Sequence, residues 1–108
     1  MSRAVVHNGV VYTAGHIDDS APDVAGQTRA ILAQLEATLA DAGTGKAHLL
    51  SASIYLADIA NFEEMNAVWD AWVADIAPPA RATVEAKLAK PRYLVEIVVI
   101  AALPEPTA

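Results

Sequence analysis

The stretch "RYLVEIVVIAALPEP" constrains this chain more than any other. Read as a strand over Leu94–Leu103, it places Leu94, Glu96, Val98 and Ile100 on one face and Val95, Ile97, Val99 and Ala101 on the other. Neither face is polar, so the strand needs cover on both sides. The chain has 108 residues, enough for a single domain (1–108) with one core but not for two cores. Yet 55% of the residues are hydrophobic and only 19% are charged. That apolar supply exceeds what one small core needs. Burial between subunits absorbs the excess, and a closed symmetric homo-oligomer is the usual form.

The remaining pattern supplies the cover for one face. Two short β-rich runs, "RAVV" and "VVYTAG", flank Asn8-Gly9, a dipeptide suited to a tight hairpin because both residues tolerate positive φ. A helix begins near Asp23. Its buried stripe is Val24, Thr28, Ile31, Leu32, Leu35 and Leu39, and Gly43 and Gly45 end it. A third strand, "HLLSASIYLADI", sets Leu50, Ala52, Ile54 and Leu56 on an apolar face. A second helix follows, with Asn61 as N-cap, Glu64 completing a capping box, and Phe62, Met65, Trp69, Trp72, Val73 and Ile76 facing inward until Pro78-Pro79. The Trp/Met stripe reads as core packing. Strands near Arg81–Leu88 and Leu94–Leu103, linked through "AKPR", close the chain before a frayed "PEPTA" tail. The order is β-β-α-β-α-β-β, an α+β fold with one sheet and both helices on one of its faces. The other sheet face is left for neighbouring subunits.

Several function classes fall away. Without cysteine there is no disulfide, thiolate metal site or cysteine nucleophile. "MSRAVVHNGVVYTAG" lacks the apolar core of a secretory signal, and the apolar run after Glu96 is too short for a membrane span, so a cytoplasmic protein is expected. The net charge is −6, and seven scattered cations form no basic stripe to displace counterions, which disfavours nucleic acid. His7 and His48 read as surface residues. His16, in "TAGHIDD", is a weak metal candidate, because ligands so close in sequence rarely converge without another. No nucleophile elbow or phosphate-binding glycine loop is present.

Glu96 is left as the anomaly, since an ionised carboxylate in an apolar strand costs several kcal/mol unless paired. Antiparallel pairing of the last two strands would set residues summing to about 180 opposite one another, bringing Arg81 toward Glu96 along one cleft. Two readings are open. The pair is an interface ion pair that fixes subunit register, or Arg81 holds a substrate carboxylate through its guanidinium fork while Glu96 acts on a proton or a water.

These residues also carry a family resemblance. "PPARATVEAKLAKPRYLVEIVVIAAL" resembles the closing signature of the RidA (YjgF) family, Pro-x-Arg, a strand, then a hydrophobic-Glu-Ile strand. "VVYTAGHI" is similar to the family's "SGQ" segment and "NFEEMNAVWDAWV" to its second helix, so the resemblance covers most of the chain. It implies a chorismate-mutase-like homotrimer with clefts between subunits. The implied activity is hydrolysis of reactive 2-enamino and 2-imino acids to 2-keto acids and ammonia, with no cofactor or metal. Arg81 matches the arginine that binds the substrate carboxylate, and Glu96 the glutamate that positions or activates water. Thr83 stands where many members have a cysteine whose backbone carbonyl helps hold that water. Gly15 matches a glycine of the pocket wall, and Asn66 a helix asparagine near the cleft. Ala14 replaces the usual serine, and His16, placed at the pocket rim, the usual glutamine. The chain starts too late for the family's N-terminal pocket tyrosine. The altered rim makes a different imine, enamine or keto acid a plausible ligand, and makes a metabolite-binding or regulatory trimer without turnover the alternative function.

Overall fold

Asn8 and Gly9 both take positive φ, at 50° and 75°, and close the first hairpin as their residue types predict. In the computed structural model, which describes residues 1–105, this hairpin joins β1 (Ala4–His7) to β2 (Val10–Thr13) with His7 opposite Val10. Then come α1 (Val24–Asp41), β3 (Leu49–Leu56), α2 (Phe62–Trp72), β4 (Ala80–Glu85) and β5 (Val95–Ala102). The last three residues of the "PEPTA" tail, 106–108, lie outside the described residues. The strands form one mixed sheet in the order β1-β2-β5-β3-β4. Both helices cover one face, as expected.

Every residue of the α1 stripe, from Val24 through Leu39, is buried. Gln27 is buried with them and stays satisfied: its amide donates to the carbonyls of Ala21 and Arg92 and accepts from Leu94 N–H, tying α1 to the segment that leads into β5. On β5, Val95, Ile97, Val99 and Ala101 are fully buried beneath the helices. Glu96, Val98 and Ile100 face the other way, as the alternation predicts.

The structure corrects three details. The first is the pairing of β4. It does not lie beside β5 but runs parallel to β3, with Arg81 opposite Ala52 and Thr83 opposite Ile54, while β5 inserts between β2 and β3. The physical reason is burial. β5 is apolar on both faces and belongs at the sheet centre, whereas the shorter β4, with its arginine, threonine and glutamate, suits an edge. Residues 86–94 are a loop rather than a hairpin turn, and β4 ends at Glu85, short of Leu88. The second concerns Leu50. A register irregularity between Leu49 and Ser51 turns Leu49 into the core and leaves Leu50 49% exposed. The third is the α2 cap. Asn61 makes no side-chain capping bond; a 3₁₀ turn over Ile59–Asn61 precedes the helix, and Asp58 Oδ1 caps it by accepting from Ala60 N–H at 2.9 Å.

The uncovered sheet face is largely apolar, apart from Glu96, Ser51 and Ser53. Val5, Tyr12 and Val84 are 55, 45 and 48% exposed, and half-buried Val98, Ile100 and Tyr55 lie between them. Contiguous apolar surface of this kind marks an association surface.

Candidate active site

Sheet register divides the candidate residues between the two faces. Paired residues share a face, so Arg81 lies with Ala52 and Val99 on the helix side. Glu96 lies with Tyr55 and Val84 on the uncovered side. Within one chain the two side chains therefore do not line a common cleft, contrary to the antiparallel expectation.

On the helix side, Arg81 reaches from the edge strand to α2. Its Nη1 donates to Asn66 Oδ1 at 2.6 Å, and its guanidinium carbon lies 5.6 Å from the Phe62 ring centroid and 5.7 Å from that of Trp69. Asn66 in turn donates from Nδ2 to Asp70 Oδ2 at 3.2 Å. The helix places these groups together by its own period, with 62, 66, 69 and 70 on one side. The two ion pairs among the described residues, Lys46–Asp75 at 3.1 Å and Arg92–Asp19, lie elsewhere. The Lys46 ammonium holds the Asp75 carboxyl below its ordinary range, and the Asp19 carboxylate raises the Arg92 guanidinium. Arg81 has no carboxylate partner among the described residues.

Thr83 shares this face, two residues beyond Arg81. Ala86 N–H donates to Leu56 C=O at 2.9 Å. Along a parallel ladder alternate residues bond to the neighbouring strand, so Ala82 and Val84 address β3. The backbone groups of Arg81 and Thr83 then point off the open sheet edge. The Thr83 hydroxyl is buried with no hydrogen-bond partner among the described residues.

On the uncovered side, Glu96 packs against Gly15. A Cβ on Gly15 would come within 2.2 Å of Glu96 Oε2, so glycine is the residue this approach requires. Glu96 makes no ion pair and no side-chain hydrogen bond among the described residues. His16 departs from the expected rim. Its backbone bridges Ile97, a helix-side residue, and its ring is buried under α1. Nδ1–H donates to Ala14 C=O at 2.8 Å, which leaves Nε2 of the neutral ring to accept from the Thr38 hydroxyl at 2.9 Å. Both nitrogens are engaged in structure, and the ring is turned away from Glu96.

Of the sequence candidates, Arg81, Asn66 and Thr83 thus lie together on the helix side, and Gly15 lies with Glu96 on the other. Phe62 and Trp69 were legible only as core, and Asp70 not at all. The signal was their helical spacing around Asn66.

A five-stranded mixed sheet with two helices on one face and a largely apolar opposite face defines a small α+β protein. The chain belongs to the YjgF (RidA, RutC) family, matching the family described as Endoribonuclease L-PSP over residues 1–103. A RutC family protein of Haemophilus ducreyi is 42% identical over 103 residues, spanning 94% of this chain and 88% of that one. YoaB of Escherichia coli, also a RutC family protein, is 42% identical over 102 residues, spanning 94% and 90%. A crystal structure of a YjgF-family member from Neisseria meningitidis superimposes with a TM-score of 0.95 at 45% identity, covering 98% of this chain and 89% of that one. A family member from Mycobacterium tuberculosis does so at 0.88 and 35%, covering 95% and 86%. No helix among the described residues is long and apolar enough to cross a membrane.

Proposed function

We propose that the chain assembles as a homotrimer whose clefts join Arg81, Thr83 and Asn66 of one copy to Glu96 and Gly15 of the next, and that these clefts hydrolyse 2-imino and 2-enamino acids to 2-keto acids and ammonia. The observation that carries this reading is the division of charge. Arg81 and Glu96 each lack a counter-ion among the described residues and lie on opposite sheet faces, which supports a site that a second copy completes. Arg81 takes the substrate carboxylate through its guanidinium. Glu96 and the outward carbonyl of Thr83 hold a water against the C=N carbon.

The chemistry balances as RC(=NH)COO⁻ + H₂O → RC(=O)COO⁻ + NH₃. An enamine first takes a proton at its β carbon and gives one up from nitrogen to become the imine. Water oxygen bonds to the C=N carbon, Glu96 accepts a water proton, and the nitrogen gains one, giving a carbinolamine. Glu96 then returns its proton to the amine nitrogen and takes the hydroxyl proton, which it releases to solvent to replace the proton the nitrogen gained earlier. C=O forms as the C–N bond breaks, and ammonia departs. His16, its ring committed beneath α1, takes no part.

The test supplies 2-aminoacrylate or 2-iminobutanoate, generated in situ, to the purified protein. Ammonia and 2-keto acid should form faster than by free decay, and Arg81→Ala should lower kcat/KM by about a hundredfold or more. Decay at the free rate with saturable keto-acid binding would assign the clefts to metabolite sensing instead. The acidic charge of −6 weighs against RNA as the substrate, despite the family description.

A further inference from the structure

Arg81 is held by a carboxamide where a carboxylate would fit. We propose that α2 is a charge-preserving clamp: Asn66, oriented by Asp70 and flanked by Phe62 and Trp69, fixes the Arg81 guanidinium in place while leaving its positive charge uncompensated for an anionic substrate. The inference rests on the carboxylate-binding role of Arg81 proposed above and adds the group that makes this role available.

The geometry separates position from charge. Phe62 and Trp69 lie 5.6 and 5.7 Å from the guanidinium carbon and attract it through their ring faces without supplying an anion. Asn66 Oδ1 accepts from Nη1 at 2.6 Å, a hydrogen bond donated to a neutral acceptor. Aspartate has the same shape and would make an ion pair, the stronger local bond. It would also occupy the fork with an internal counter-ion that a substrate carboxylate must then displace.

The amide adds a problem that a carboxylate lacks: it can flip and turn its NH₂ toward the guanidinium. Asp70 removes the ambiguity. Its carboxylate only accepts, so it selects the orientation in which Asn66 Nδ2 points to Asp70 and Oδ1 to Arg81. Asp70 is exposed and one turn along the helix, so its charge is screened while its hydrogen bond acts locally. It is a positioning residue that acts through Asn66.

The experiment uses the intact protein and an unreactive anion, 2-oxobutanoate, titrated by calorimetry at constant ionic strength. Asn66→Asp, which keeps side-chain shape, should weaken binding by about tenfold or more, and by more than Asn66→Ala does. Asp70→Ala should weaken it by about two- to threefold, and Asp70→Asn, which keeps an acceptor oxygen but can also flip to donate, should restore it in part. If Asn66→Ala is as damaging as Asn66→Asp, the amide acts only as a strut and the proposal fails. If Asp70→Asn and Asp70→Ala both tighten binding, Asp70 acts by long-range charge and the orienting role fails. Binding undiminished in Arg81→Ala would instead overturn the underlying carboxylate site. Loss of binding in Arg81→Ala with normal binding in Asn66→Asp would overturn the clamp alone.

Discussion

The two faces of the sheet are made from the same strands and differ in what completes them. On the helix side, β5 presents Val95, Ile97, Val99 and Ala101 to α1 and α2, and each is fully buried within one chain. On the other side no helix among the described residues covers Glu96, Val98 and Ile100 of the same strand; they are half-buried, beside Val5, Tyr12 and Val84 at about half exposure. Arg81 reaches the covered side and Glu96 the uncovered one. The difference teaches that one face is completed within the chain, while the proposed chemistry is divided between the two faces. In the proposed trimer, the cation held at a helix and the anion packed on a glycine meet where one copy's uncovered face faces another's open edge.

The largest expected effect breaks that comparison directly. Arg81→Ala and Glu96→Ala, each alone, should lose hydrolysis. Unfolded together in equal amounts and refolded, they should regain about a quarter of the native activity. In a random cyclic trimer that fraction of clefts receives Arg81 from one copy and Glu96 from the next. Activity that stays at the level of either single variant would put both groups to work within one chain, against the face assignment.

How much of this was legible in the sequence depends on which interaction decided each point. The hairpin was legible because Asn8-Gly9 acts locally, and both helices because their buried residues recur at a local period. The face of Glu96 followed from alternation alone. The partner of β4 did not, because strand pairing is non-local and the short separation from β5 imitated a hairpin. The deciding signal was present in composition: a strand apolar on both faces takes the centre, and "ARATVE" takes an edge. Leu50 was misplaced because the irregularity beside it shifts the alternation by one residue. His16 was misread because a residue type at a matching position says nothing of where its ring turns, and Ala14 C=O and Thr38 decide that.

A smaller effect sharpens the uncovered half. Gly15→Ala places a methyl group where Glu96 Oε2 lies, and the carboxylate is the far end of a flexible side chain. Stability should therefore change by less than about 1 kcal/mol, because the glutamate rotates away rather than the backbone yielding. Hydrolysis should fall about tenfold or more, because a displaced carboxylate no longer addresses the water. Chemical denaturation and steady-state rates on one preparation check both. A large loss of stability with normal turnover per folded site would make Gly15 a packing residue and remove it from the site.

The smallest effect concerns the covered half. Thr83 has a buried hydroxyl with no partner among the described residues, and leaving such a group unsatisfied costs about 1–3 kcal/mol. Valine has nearly the same shape and keeps the backbone carbonyl that points off the β4 edge. In one chain alone, Thr83→Val should then leave stability unchanged or raise it by up to about 1 kcal/mol. The assembled protein gives a different outcome if a neighbouring copy brings an acceptor to that edge, because valine would strand the acceptor instead. Denaturation at several protein concentrations separates the two. A stabilisation independent of concentration means that the helix face is complete within its own chain. A destabilisation that grows with association means that this face too is finished by a neighbour, so that the contrast between the two faces ends at β4.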